Sequence, residues 1–211
     1  MSDQRLRELE RSWRVGGAEE AEAALLRERL RLGVIGEPRL RLAAAIGHAA
    51  SGLLLGPRAP AGDLRRRLAA IDGELGRAGP ETVVRAAIAL ARSRVRLWGH
   101  TRASGSRSDR ASLLAALEAA EAWVRCPCDA HLADAAETVA PAERAVQGLR
   151  ARTARSAYYA LRAARVVVEP NYRVLGLEYE PAQDAEALRQ ALRAELVPWL
   201  VGHADPVAAR G

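Results

Sequence analysis

The 211-residue chain contains no phenylalanine, no lysine, one methionine, one asparagine (Asn171) and two cysteines. Aromatic residues amount to 4%, so a core must be assembled from small aliphatic side chains. Without lysine there is no phosphate-loop lysine and no Schiff-base lysine, which removes several enzyme classes outright. Two cysteines separated by one residue, Cys126 and Cys128, cannot staple a fold as a disulfide framework does. Long apolar runs are also missing. The longest charge-free stretch, between Arg41 and Arg58, holds Gly47, His48, Ser51 and Gly52, short of the roughly 18 apolar residues a spanning helix needs. Met1-Ser2-Asp3-Gln4-Arg5 leads into a charged amphipathic pattern with no apolar leader. The expectation is a soluble, cytoplasmic protein with no membrane span.

What the chain does have is alanine and leucine, about a third of all residues. Both rank at the top of helix propensity, and β-branched residues are scarce. This excludes a β-sandwich or barrel and predicts an all-α protein, a globular helical bundle or short α-solenoid of eight to nine helices.

Local signals place the elements. Leu6, Leu9 and Trp13 share one helix face that stops at Gly16-Gly17. Residues 18–32 carry Glu19, Glu20 and Glu22 at the start and Arg27, Arg29 and Arg31 at the end, matching the helix dipole, with Gly33 as the stop. Pro38 opens a third helix carrying Leu40, Leu42, Ile46 and Ala50 toward Leu53. These three form an N-terminal module over 1–56. A Pro- and Gly-rich connector at 56–62 leads into a C-terminal helical domain over 57–211. There the spacing predicts helices from Asp63, Pro80, Ala111 and Asp129, the last interrupted at Pro141, and a long helix from Pro141 to Val168 that bends near Gly148. Residues 99–110 have no periodicity and read as a flexible basic loop. Residues 170–180 are the one stretch of extended character. A final helix carries Leu188, Leu192, Leu196 and Leu200, kinked by Pro198.

The net charge is +6 and the pI about 10.2, with every basic residue an arginine. The excess lies in the first half, where residues 1–110 hold 21 arginines against 13 acids. Arg92, Arg94, Arg96, Arg102, Arg107 and Arg110 cluster in and just before the basic loop and form the candidate partner-binding surface, since guanidinium groups attract anionic partners. Nucleic acid is one such partner, and a basic helical nucleic-acid binder is the alternative reading. No aromatic is interleaved with these arginines, which disfavours single-strand stacking.

Few residues carry chemistry. Cys126-Pro127-Cys128 with His131 places two thiols and an imidazole within six residues at a helix start, where they are candidate metal ligands if a fourth group such as His100 or His48 comes close or, for one thiol, a candidate nucleophile. The bland alternative is Cys126 packed as a small apolar group and Cys128 as a capping residue. Cys-x-Cys is not the Cys-x-x-Cys knuckle, and no second pair exists, so the expectation is no bound metal and no cofactor. His48, His100, His131 and His203 show no His-x-x-x-His spacing. His48 reads as a satisfied subsurface group and His203 as solvated. Glu118 and Glu121 share a helix face, explained more cheaply by a solvated face or a pairing of Glu121 with Arg125 than by acid–base work. Trp13, Trp98, Trp123 and Trp199 each fall late in a helix, where burial of at least three is expected. No catalytic constellation emerges, so the protein reads as a non-enzyme.

Ala-Leu-Glu-Ala-Ala-Glu-Ala-Trp at 116–123 and Ala-Tyr-Tyr-Ala-Leu-Arg-Ala-Ala at 157–164 resemble stretches of an all-helical family of immunity proteins from bacterial polymorphic toxin systems. The resemblance covers about residues 80–168. Leu9-Glu10-Arg11-Ser12-Trp13 through Leu25–Leu30 is similar to a module in uncharacterised proteins of GC-rich bacteria such as myxobacteria. Where the family carries a His-containing run before its Tyr-Tyr segment, this chain has Arg152-Thr153-Ala154-Arg155-Ser156, so no role of that histidine carries over. The resemblance implies a non-catalytic protein–protein interaction protein of a bacterial conflict system, toxin-neutralising or adaptor-like, that binds a cognate toxin or related component by surface complementarity.

Overall fold

The computed structural model describes residues 2–56, 64–95, 107–147, 149, 151–169, 171, 175–177 and 180–210. Among them the chain is all-helical, with no strand. The helices are α1 (Ser2–Gly16), α2 (Glu19–Arg31), α3 (Glu37–Ile46), α4 (Ala49–Leu55), α5 (Leu64–Ala78), α6 (Pro80–Arg94), α7 (Arg107–Arg125), α8 (Asp129–Gln147), α9 (Ala151–Val168), α10 (Ala182–Glu195) and α11 (Val197–Leu200).

The expected fold class holds, but the described residues contain more helices than the eight or nine expected, because two predicted helices are split. The third breaks at Gly47, which takes φ +105 while its N–H closes on the Ala43 and Ala44 carbonyls. His48 then caps α4 by accepting the Ser51 N–H on its ring. The last breaks at Leu196, and Pro198 sits at the start of α11, where a missing N–H costs nothing. The opposite correction applies at Pro141, which α8 passes without interruption. Proline orphans the carbonyl four residues back, and here that residue is the exposed Glu137, so water can serve it. The long helix expected from Pro141 to Val168, with a bend near Gly148, is the end of α8, which stops at Gln147, and a separate α9 from Ala151. No strand forms among the described residues of 170–180.

Contacts divide the chain into two compact units, Met1–Ala78 with Leu177–Asp205, and Gly79–Gly176 with Pro206–Gly211. The first unit includes α5, which packs on α3 and α10. In the first unit α1 packs on α2, α2 on α4, and α3 on both α4 and α5. The returning α10 and α11 insert Leu188, Leu192, Leu196 and Leu200, all buried, as the spacing by fours predicts. Asp72, 3% exposed, accepts the Leu177 N–H at 3.0 Å and pins the start of the return.

In the second unit every residue from Thr82 to Ala91 is buried, so α6 is covered on all sides. Helix α9 packs on α6, α7 and α8. Ala157, Ala160, Ala163 and Ala164 on α9, with Ala116 and Ala120 on α7, are all fully buried. Side chains this small let helix axes approach closely, which is how a core with few rings is filled. Helices α7 and α8 form an antiparallel hairpin closed by Cys126-Pro127-Cys128.

The tryptophans depart from expectation. Trp13, Trp123 and Trp199 are half-buried, and Trp98 lies outside the described residues. Trp13 stacks on His203, with ring centroids 3.9 Å apart, and Trp199 lies 3.9 Å beneath the Arg39 guanidinium. Each ring closes an edge of the first unit with a polar partner above it.

Candidate functional site

The turn between α7 and α8 brings together the three residues singled out from the sequence. Helix α7 ends at Arg125, and Pro127, with fixed φ and no N–H, lets the chain reverse. The Cys128 N–H closes on the Cys126 carbonyl at 2.9 Å, and the Leu132 N–H bonds the Cys128 carbonyl at 3.0 Å, which starts α8. Cys128 thus occupies the capping position, as the bland reading anticipated. His131, one turn in, folds its ring back: Nδ1 lies 2.8 Å from the Cys126 carbonyl and 3.3 Å from the Cys128 sulfur. The carbonyl can only accept, so Nδ1 carries the proton. Donor atoms of Cys126, Cys128 and His131 all lie within 4.8 Å of one another. Cys126 is exposed and Cys128 half-buried, which differs from the expectation of a packed Cys126.

The electrostatics separate the two thiols. The main-chain N–H of His131 aimed at the sulfur, then the Cys126 thiol, hold Cys128 below the ordinary thiol range. The same thiol–thiol hydrogen bond pushes Cys126 up. The bond to the Cys126 carbonyl raises His131. A thiol at a helix N-terminus behaves this way because the orphan N–H groups stabilise negative charge.

Along the same hairpin runs an open groove of about 510 Å³, lined on α7 by Ala111, Ser112, Ala115 and Ala119 and on α8 by Asp134, Glu137, Thr138 and Pro141. Its floor is made of small side chains, and Asp134 and Glu137 are exposed carboxylates. Nothing in the residue pattern alone marked these positions.

The arginine cluster is only partly a surface. Arg92 donates to Glu121 at 2.8 and 2.6 Å, a bidentate pair with a carboxylate 5% exposed. Glu121 is therefore a structural counter-ion whose partner is Arg92, not the Arg125 expected from helix spacing. Arg94 is half-buried, and Arg110 is exposed at the start of α7. Arg96, Arg102, His100 and the side chain of Arg107 lie outside the described residues, as does 99–106 of the expected loop; 107–110 form the first turn of α7.

A second polar cluster, unforeseen, lies inside the first unit. Glu22 Oε1 is 2.5 Å from His203 Nε2 and 3.2 Å from His48 Nε2. Arg29, 7% exposed, donates to the Val201 carbonyl at 2.7 Å, to Glu10 at 2.8 Å and to His203 Nδ1 at 3.2 Å. Because Arg29 has only protons to give, His203 Nδ1 accepts, and Nε2 is the nitrogen that donates to Glu22. His203 is thus half-buried and fully engaged, in contrast to the solvated group expected. His48 is partnered below the surface as anticipated. All these groups serve one another, and the cluster ties α1, α2 and α4 to the end of the chain's return.

Comparison with protein-family models, with curated proteins and with solved structures gives no match to this chain.

Proposed function

We propose that the protein is a non-catalytic binding protein of the toxin-neutralising or adaptor kind, and that its partner protein docks on the α7–α8 hairpin. The observation that carries this reading is the groove between α7 and α8, an apolar small-residue floor beside the carboxylates of Asp134 and Glu137. A chain with net charge +6 that presents an acidic wall there fits an apolar segment carrying a basic side chain. Charge complementarity of this kind sets register and partner choice more than raw affinity. Arg110 at the start of α7 remains a candidate contact from the arginine cluster. The resemblance of residues 80–168 to immunity proteins covers this hairpin and supports the same class.

The test is a low-salt native pull-down from the source cell, with wild type and Ala115→Arg in parallel, read by mass spectrometry. Ala115 is exposed, so arginine there obstructs the groove without entering the core. One protein recovered in stoichiometric yield by wild type and lost by Ala115→Arg supports the reading. Retention of that protein by the variant refutes the groove as its dock. Nucleic acid recovered instead, and eluted steeply by salt, favours the nucleic-acid alternative.

A further inference from the structure

We infer that Cys126, Cys128 and His131 form a three-ligand site for a zinc ion, with water in the fourth position. The site shares Asp134 with the groove, but its three ligands lie outside the groove lining and its test does not depend on the groove reading. Zinc bonds thiolate sulfur at about 2.3 Å and imidazole nitrogen at about 2.0–2.1 Å in tetrahedral geometry. Those lengths require ligand atoms about 3.8 Å apart for two sulfurs and about 3.6 Å for a sulfur and a nitrogen. The Cys128 sulfur and His131 Nδ1 stand at 3.3 Å, and no pair among the three donors exceeds 4.8 Å. The backbone of the turn is held by the Cys128 N–H to Cys126 carbonyl bond and by the first turn of α8, which leaves side-chain rotation to bring the donors to those spacings.

Charge and donor chemistry agree. Two thiols release their protons to solvent on binding, and two thiolates with a neutral imidazole leave the complex uncharged. For Nδ1 to coordinate, the ring gives up its bond to the Cys126 carbonyl and carries its proton on Nε2. The carboxylate of Asp134, one turn further along α8, acts on the His131 ring electrostatically and adds negative potential for a cation. Cys126 is exposed and Cys128 half-buried, so an ion has access from solvent. Two sulfurs and one nitrogen select a borderline-soft ion over magnesium or calcium. Three protein ligands with one open position is the arrangement of zinc sites that keep a bound water, in contrast to closed four-ligand structural sites.

The experiment uses the full chain, metal-free and held in a phosphine reductant, titrated with cobalt(II) and then with zinc against a chromophoric chelator. A thiolate-to-cobalt charge-transfer band saturating at one equivalent and displaced by zinc is the expected result. Cys128→Ser and Cys126→Ser should abolish the band, and His131→Ala should weaken zinc binding roughly tenfold or more. Absence of the band in wild type, or unchanged affinity in any of the three variants, overturns the site. Helicity by circular dichroism checks the variants. As a measurement on wild type alone, zinc should slow alkylation of both thiols, and equal rates with and without zinc also overturn it.

Discussion

Part of the acid sensitivity of the first unit should be traceable to the half-buried carboxylate of Glu22. Its side chain is 14% exposed and its Oε1 receives both imidazoles. Burial works to raise its pKa, but the hydrogen bonds from His203 and His48 outweigh it and hold the group at about 2, against an ordinary 4.5. At 1.36 kcal/mol per pH unit that gap corresponds to at most about 3–4 kcal/mol of folding stability. Partial hydration of the cluster reduces the expectation to about 2 kcal/mol. The folded-state pKa is the lower one, so this stability is fully present above 4.5 and is lost as pH falls toward 2. Glu22→Gln keeps the shape and one acceptor but removes the charge. Urea unfolding followed by far-ultraviolet circular dichroism should find the variant less stable by about 2 kcal/mol at pH 7, with the difference shrinking to near zero at pH 2. An equal gap at both pH values would assign the effect to packing, and no gap at pH 7 would refute the role of the carboxylate altogether.

Three further outcomes follow from packing and pairing. Arg92→Ala removes two charge-assisted hydrogen bonds from the buried Glu121 carboxylate, and because Arg92 itself is one-third exposed the cost should be about 2–3 kcal/mol, below that of a fully buried pair. The double variant Arg92→Leu with Glu121→Leu should recover most of that loss in thermal unfolding; no recovery would mean the pair is not what the single variant removed. Gly47→Ala places a Cβ at φ +105 and 2.8 Å from an Arg189 nitrogen that donates to the Ile46 carbonyl, so a loss of about 2 kcal/mol is expected in the same assay. Ala160→Leu overfills the buried face of α9 and should cost about 1–3 kcal/mol, whereas a neutral result would reveal unfilled space there.

The parts of the fold that were legible in the sequence are those set by neighbours in the chain. The Glu-first, Arg-last polarity of α2 and the leucines by fours of α10 were read directly, and the thiol–imidazole turn was visible because its three members lie within six residues. The break at Gly47 was missed because Ile46, Ala50 and Leu53 keep apolar helical spacing across it; only the left-handed glycine and the capping ring of His48 decide the matter. Pro141 was overread, since a proline on a solvent-facing stretch leaves a carbonyl that water can serve. The Glu22 cluster was out of reach, because His203 meets Glu22 only when residues 177–205 return to the first unit.

The same distinction revises the meaning of the chain's basic charge. With no lysine and a single asparagine, arginine is the side chain with donors to spare, and the interior uses it accordingly. Arg29 ties Glu10, His203 and the Val201 carbonyl together, Arg189 holds the Ile46 carbonyl, Arg165 reaches Glu143, and Arg92 grips Glu121. A bidentate, always-charged fork suits this cross-linking role better than an ammonium would. A count of arginines along the sequence therefore overstates the positive surface offered to a partner. On the α7–α8 hairpin the groove instead presents Asp134 and Glu137 beside its small-residue floor. That acidic wall on a basic chain is the more discriminating feature, since a partner selected by total charge alone would avoid it.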